Sequence, residues 1–304
     1  MGGPNHLGEV EIFLKNMFLD PYILPIKSNF LRKIVGNIIV KKRIETAKDI
    51  YRSIGGKSPM VELTFSLVKK LQKKDPNRFY SYAMRYTPPY VDLALEEMKQ
   101  KGIQKIYLFS MYPQYSSATT LSSFSDVYRA LKQMDYQPVV EIIDRYYDKP
   151  DYHHMMINSI LRMLGDQKSD DYVLIFSAHS LPESFVKNGD PYQKECEECL
   201  ELVKKELEKR EIYFKDIILS YQSKLGPVKW IGPSTKSVIQ SSNYKKIIVC
   251  PFGFTIDNSE TIYEINIEYR KLASDRGIRD FIFCPCGNDS DDFVDFILSL
   301  IDLK

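Results

Sequence analysis

The stretch Tyr172-Val-Leu-Ile-Phe-Ser-Ala-His179-Ser-Leu-Pro182, which runs on to Gly189-Asp-Pro-Tyr192, decides the fold. Five apolar or aromatic residues in succession, Tyr172 to Phe176, predict a strand buried on both faces, as in a parallel sheet. Small residues end the strand and a histidine follows at its carboxyl end, the side on which open α/β sheets bind ligands. Pro182 and the Gly-Asp-Pro turn stiffen the loop that carries the imidazole. A lone loop histidine more often caps or packs than reacts, so the rest of the chain must decide its role.

Outward from this strand, short apolar runs alternate with amphipathic stretches from about residue 79 onward. Strands are expected at 79–84, 105–111, 139–144, 172–178, 217–221, 246–252 and 280–284. Helical patterns fall between them at 91–101, 151–164, 192–209 and 259–274, and 293–303 reads as a closing helix. Such alternation implies right-handed βαβ units and parallel sheets, an α/β fold. The number of strands suits two similar halves, with a boundary near the Ser/Thr-rich segment 113–125.

Composition narrows the function class. With 42 basic and 40 acidic side chains the formal charge is +2, so no basic field recruits nucleic acid. No apolar run is long enough to span a bilayer and no secretory signal is recognisable. Five cysteines, an odd count, argue against a secreted disulfide framework and for a reducing cytoplasm. Met1-Gly2-Gly3-Pro4 is a tight turn with no strand before it, which suggests a natural start further upstream. Residues 26–44 stand apart: Phe30, Leu31, Ile34, Val35, Ile38, Ile39 and Val40 are flanked by Lys27, Arg32, Lys33, Lys41, Lys42 and Arg43. This pattern fits a helix on a membrane surface or at the lip of a greasy pocket, and equally a helix packed on the core.

Four further strand-end segments carry candidate chemistry. After 247–250 comes Pro251-Phe-Gly-Phe-Thr-Ile-Asp257-Asn258-Ser259-Glu260, and Glu260, Glu264 and Glu268 then recur every four residues. Ser259 is the expected helix cap, with Ile262 in its capping-box position. At 3.6 residues per turn the three glutamates share one stripe. Such a row either faces solvent, or leads a divalent cation or a proton into a site. After 217–221 comes Gln222-Ser223-Lys224-Leu-Gly-Pro-Val-Lys-Trp230-Ile-Gly-Pro, whose lone tryptophan either covers core or walls a planar ligand. Tyr112-Pro-Gln-Tyr115 and Arg85-Tyr86 complete the ring of loops, with Arg85 a candidate partner for a ligand carboxylate.

Together these segments resemble the ferrochelatase family, whose members insert Fe(II) into a porphyrin. The resemblance covers essentially the whole chain. Its carriers are Met1-Gly-Gly-Pro4, Ile54-Gly-Gly-Lys-Ser-Pro59, Met84-Arg-Tyr86, Tyr112-Pro-Gln-Tyr115, Phe176-Ser-Ala-His179-Ser-Leu-Pro182, Gly189-Asp-Pro-Tyr192, Tyr221-Gln-Ser-Lys-Leu-Gly-Pro227, Trp230-Ile-Gly-Pro233 and Glu260-Thr-Ile-Tyr-Glu264. It implies two Rossmann-like halves with an interdomain cleft for the porphyrin. Residues 1–115 with a closing segment 286–304 would form the first half, and 116–285 the second, which carries the metal-site residues.

By the same resemblance His179 and Glu260 are the catalytic residues, facing each other across the metal position. Glu264 and Glu268 join them as an acidic ladder on a widened, π-type helix. Met1, Ser58, Arg85, Tyr86, Tyr115, Gln222, Ser223, Lys224 and Trp230 fall on or near the porphyrin wall. The implied reaction converts a porphyrin, with protoporphyrin IX expected, and Fe(II) to haem with release of two protons. Fe(II) is then substrate and no cofactor is required. The imidazole could accept a pyrrole proton or ligate the metal, and sequence leaves both open.

Two departures from the family pattern stand out. One is the missing strand before the Gly-Gly-Pro turn. The other is Asp257-Asn258 where members commonly carry Asp-His, and Asn258 cannot titrate. A [2Fe–2S] cluster, held by some members, would need four thiolates. Cys196 and Cys199 would then have to meet the distant Cys284 and Cys286, which argues against it. The competing readings are a cobalt chelatase acting on another tetrapyrrole and a non-catalytic tetrapyrrole- or metal-binding protein. A monomer or homodimer is expected, cytoplasmic, with peripheral membrane contact through 26–44.

Overall fold

The computed structural model describes residues 1–224, 226–241 and 243–302. The chain is α/β, with parallel sheets flanked by helices, and it divides into two compact units. The first comprises Met1–Ser110, Ser116–Asp144 and the last residues from Leu300; the second comprises Met111–Tyr115 and Arg145–Ser299.

In the first unit helices α1 (Val10–Leu19), α2 (Asn29–Ser53), α3 (Met60–Lys74) and α4 (Val91–Gln100) precede strand β1 (Lys105–Phe109). Helix α5 (Ser122–Gln133) then leads to β2 (Val139–Ile143), which pairs with β1 in parallel, Lys105 opposite Val139. Val91 and Leu95 of α4 pack with Val127, Ala130 and Leu131 of α5 around Ile106. The pairing of β2 with β1 carries 116–144 into this unit, whereas the sequence reading assigns that segment to the second half. The strand expected at 79–84 is absent: among the described residues none forms a ladder with it. High β-propensity is not enough without a neighbouring strand to bond.

The second unit holds α6 (Pro150–Leu164), β3 (Val173–His179), the short α7 (Glu183–Lys187), α8 (Tyr192–Lys209), β4 (Asp216–Gln222), α9 (Thr235–Ser241) and β5 (Lys246–Phe252). A π-helix (Glu260–Tyr269), α10 (Arg270–Asp275), β6 (Asp280–Phe283) and α11 (Asp291–Asp302, up to Ser299) follow. Its four strands run parallel in the order β4-β3-β5-β6. The continuous apolar run of β3 is explained by this central place, since Val173 through Ala178 are all buried. Val173 and Ile175 on one face pack with Ile239 of α9 and with Ile265 and Tyr269 of the π-helix. Alternation along β3 therefore puts Ser177 and His179 on that same face, toward α9 and the π-helix. The helix expected to close back on the first half packs mostly here, Phe296 standing edge-on to Tyr146 at 5.3 Å.

Candidate functional site

The site in the second unit is built from the carboxyl ends of β3, β4 and β5. His179 ends β3, and its Nδ1 lies 2.8 Å from Oε2 of Glu260, the first residue of the π-helix. The ring also meets Phe254 edge-on at 6.4 Å. About a third of each side chain of the pair is exposed, 36% for His179 and 34% for Glu260. Burial works to lower the imidazole pKa, yet the charge and hydrogen bond of Glu260, with Glu264 behind it, leave His179 raised above its ordinary value. Burial likewise pushes Glu260 up, but the His179 charge and hydrogen bond, with lesser help from Ser223 and Gln222, bring it below the usual carboxylate value.

Glu264 faces inward behind this pair. It accepts from Ser223 N at 2.9 Å, from Ser223 Oγ at 2.6 Å and from Tyr269 Oη at 2.5 Å. Burial, and next the charge of Glu260, raise its pKa. Ser223 has φ +65°, the left-handed region that costs a non-glycine residue strain of order 1–3 kcal/mol. The two bonds to Glu264 hold it there. Glu268 departs from the expected stripe. In a π-helix bonds run i to i+5, so the residue stacking on Glu264 is Tyr269, five positions on, and Glu268 is left exposed. The 3.6-residue period does not apply on this segment.

The helix cap also differs from expectation. Asn258, not Ser259, accepts from Glu260 N at 2.8 Å, and Thr261 Oγ1 accepts from Asn258 N at 3.0 Å, a reciprocal capping box. Asp257 beneath it is buried and tied to Thr261 Oγ1 at 2.8 Å and Asn288 Nδ2 at 2.6 Å. Replacing Asn258 by alanine is expected to cost about 1 kcal/mol of stability, read as a lower urea midpoint; an unchanged midpoint would show that the cap carries no weight.

Trp230 forms an antiparallel bridge with Pro182, and Ile231 N donates to Leu181 O at 2.9 Å, so the tryptophan loop is stitched to the loop after His179. Lys224 is exposed, with Nζ near Gly232. Gln222 is buried beside His179, its register partner on β4. Tyr115 donates its N–H to Glu195 at 2.6 Å and lies under the Arg145 guanidinium.

The first unit gathers a second group. Met1 O accepts from the N–H groups of Arg85 at 3.1 Å and Tyr86 at 2.9 Å. Gly2 and Gly3 make the turn's close approach possible, because a Cβ on either would lie within 2.5 Å of Thr87 or Ser58. Ser58 and Tyr86 are buried, so they back a surface and do not form one. Sequence reasoning misses Asp20, which is 3% exposed and organises this group. One of its oxygens accepts from Tyr86 Oη at 2.9 Å and Ser122 Oγ at 2.6 Å and meets Arg85 Nη2 at 2.9 Å; the other accepts from Tyr22 N at 2.8 Å. Arg85 also lies 3.7 Å from Asp126. The guanidinium expected to pair a ligand carboxylate therefore already has carboxylate partners within the chain.

All five cysteines are free thiols and buried. Among the described residues no three His, Cys, Asp or Glu side chains converge to hold a metal ion, and no helix is long and apolar enough to cross a membrane.

Comparison with known proteins adds the following. The ferrochelatase family model matches residues 1–304. Over 302 residues the chain is 51% identical to a ferrochelatase of Helicobacter pylori (strain HPAG1), covering 99% of this chain and 90% of that protein. It is 49% identical to the ferrochelatase of Wolinella succinogenes, covering 99% and 95%, and 47% identical to that of Helicobacter hepaticus, covering 99% and 97%. Among solved structures, SirB from Bacillus subtilis with Fe3+ aligns with a TM-score of 0.60 at 8% identity, over 79% of this chain and 88% of SirB. CbiX, described as the terminal enzyme of sirohaem biosynthesis in denitrifying bacteria, aligns with a TM-score of 0.53 at 12% identity, over 78% and 89%. At such identities these two speak to the fold alone.

Proposed function

The chain belongs to the ferrochelatase family, its reaction is the insertion of Fe(II) into a porphyrin to form haem, and we propose that His179 and Glu260 carry the chemistry. The observation behind this assignment is the 2.8 Å contact of Nδ1 with the Glu260 carboxylate at adjoining strand ends. An anionic carboxylate there selects the tautomer with hydrogen on Nδ1, which leaves Nε2 as the lone-pair nitrogen. Two pyrrole protons must leave as the metal enters. Nε2 accepts a proton, and Glu260 stabilises the imidazolium that results. The same lone pair is also the imidazole's means of ligating Fe(II).

Glu260, Glu264 and Glu268 form the proposed metal route along the π-helix, Glu268 outermost. Fe(II) is substrate, and it has to leave for four ring nitrogens, so a transient contact with one or two side chains suits it better than a closed cage. Met1 and Arg85, backed by Ser58 and Tyr86, are the proposed porphyrin contacts of the first unit. Tyr115, Ser223, Lys224 and Trp230 are those of the second.

Protoporphyrin IX is the proposed ring, because Arg85 is already neutralised by Asp20 and Asp126, which favours a porphyrin with few carboxylates. Either a monomer or a homodimer serves this chemistry, since both members of the pair come from one chain. Anaerobic assay of the wild-type protein with Fe(II) and either porphyrin tests the reading. Haem formation with a higher kcat/KM for protoporphyrin than for coproporphyrin is expected. Porphyrin binding without insertion would make the protein a binding module, and a preference for coproporphyrin would overturn the choice of ring.

A peripheral, cytoplasmic membrane contact is proposed through α2. Phe30, Leu31, Ile34 and Ile38 are exposed, Phe30 to 72%, and exposed Lys27, Lys33, Lys41 and Lys42 flank them. An apolar stripe rimmed by lysines fits an anionic lipid surface, where each cation near the surface contributes about 1 kcal/mol. The Ile34→Glu, Ile38→Glu double variant is expected to lose co-sedimentation with vesicles containing anionic lipid. Undiminished binding would reject the contact.

A further inference from the structure

Beside the catalytic pair, four buried polar side chains form a chain of hydrogen bonds that the reaction so far leaves without a role. Ser177 and His179 of β3 stand opposite Ser220 and Gln222 of β4 in register, so all four share one face of the sheet. Ser177 Oγ donates to Gln222 Oε1 at 2.7 Å, Ser177 Oγ and Thr235 Oγ1 are 2.7 Å apart, and Thr235 Oγ1 and Ser220 Oγ 2.9 Å. Ser220 Oγ also lies 3.2 Å from Phe176 O. Ser177, Ser220 and Thr235 are fully buried and Gln222 is 1% exposed, which shuts them off from bulk solvent.

A hydroxyl has a single proton. The Ser177 proton goes to Gln222 Oε1, hence Thr235 donates to Ser177, and Ser220 donates onward to Thr235 or to Phe176 O. The amide is thereby oriented: its oxygen faces the hydroxyls and its Nε2 faces away from them. Flipped, it would turn carbonyl lone pairs toward the neighbouring carboxylate. Nε2 itself is a buried donor with no protein hydrogen-bond partner, a costly state unless it serves an acceptor during function.

We infer that Gln222 is a positioning residue for Glu260, its amide set by the Ser177–Thr235–Ser220 hydroxyl chain so that Nε2 receives the Glu260 carboxylate when the metal or a proton draws it from His179. Gln222 is the register partner of His179 on β4, and His179 bonds Glu260, so the amide stands beside that carboxylate. This role replaces a direct porphyrin contact for Gln222, whose burial leaves it little surface to offer. It rests on the reading of Glu260 as a residue of the reaction.

The test is a KM split in the full-length protein. Thr235→Val removes the hydroxyl at nearly constant volume, Thr235→Ser keeps it, and Ser177→Ala removes the donor that sets the amide. Loss of an outer partner of a metal-handling carboxylate typically costs about 10- to 100-fold. Ser177→Ala and Thr235→Val are expected to raise the KM for Fe(II) by that order with the porphyrin KM unchanged, and Thr235→Ser to restore it. An Fe(II) KM like wild type, a parallel rise in both KM values, or failure of Thr235→Ser to restore function would overturn the role. Should Thr235→Val not fold, Ser177→Ala read by the same split decides. Glu260→Ala separates the two levels: wild-type turnover by it removes the underlying reading. An inactive Glu260→Ala beside an unaffected Ser177→Ala removes only the positioning role.

Discussion

Replacing His179 by alanine is expected to lower kcat for haem formation by about 10²–10⁴-fold, the contribution of a positioned proton acceptor, while porphyrin still binds. The variant removes Nε2, and it also removes the hydrogen bond and the charge that hold Glu260 low. Burial then acts on Glu260 without its largest opponent, and the carboxyl shifts toward its neutral form, a poorer base and a poorer metal ligand. One deletion thus disables both members of the pair. Anaerobic haem formation measures kcat, and quenching of porphyrin fluorescence measures binding. A kcat equal to that of wild type would mean that the imidazole only packs.

The second large effect is on stability. Asp20→Ala is expected to destabilise the first unit by about 3 kcal/mol, the lower end of the range for breaking a buried ion pair. The lower end applies because the Arg85 side chain is a quarter exposed and keeps Asp126 at 3.7 Å. Tyr86 Oη and Ser122 Oγ lose their acceptor in a buried setting, and Tyr22 N loses its turn partner. Asp20→Asn retains one acceptor oxygen and should cost less. Urea unfolding followed by far-UV circular dichroism should show wild type most stable, then Asp20→Asn, then Asp20→Ala. Coincident curves for all three would show that the network contributes nothing.

Much of the second unit was legible in the sequence because β3 and β5 lie in the sheet interior, where burial on both faces leaves continuous apolar runs. The carboxyl ends of those runs led to His179 and Glu260, and the structure joins them across 81 residues. Segment 79–84 shows the limit of that logic, since its composition suits a strand but pairing depends on a neighbour that pattern does not reveal. The 3.6-residue stripe drawn through Glu268 failed for a different reason. Residue spacing carries no mark of the change from i+4 to i+5 bonding, which only the family resemblance implied, and that change puts Tyr269 against Glu264. Asp20 gave no signal, because its side-chain partners Arg85, Tyr86 and Ser122 lie 65, 66 and 102 residues away, and its one local bond, from Tyr22 N, is one any surface turn aspartate could make. Gln222 stood in a recognisable motif, yet its burial and the hydroxyl chain behind it come from Thr235 of α9, a contact visible only once the helix is packed on the sheet.

The most direct test of the His179–Glu260 account is single-turnover insertion of Fe(II) into porphyrin already bound to the protein, Glu260→Ala against wild type. The account predicts that both proteins hold the porphyrin and that haem appears in wild type alone on the same time scale. Haem formation by Glu260→Ala at the wild-type rate would contradict it.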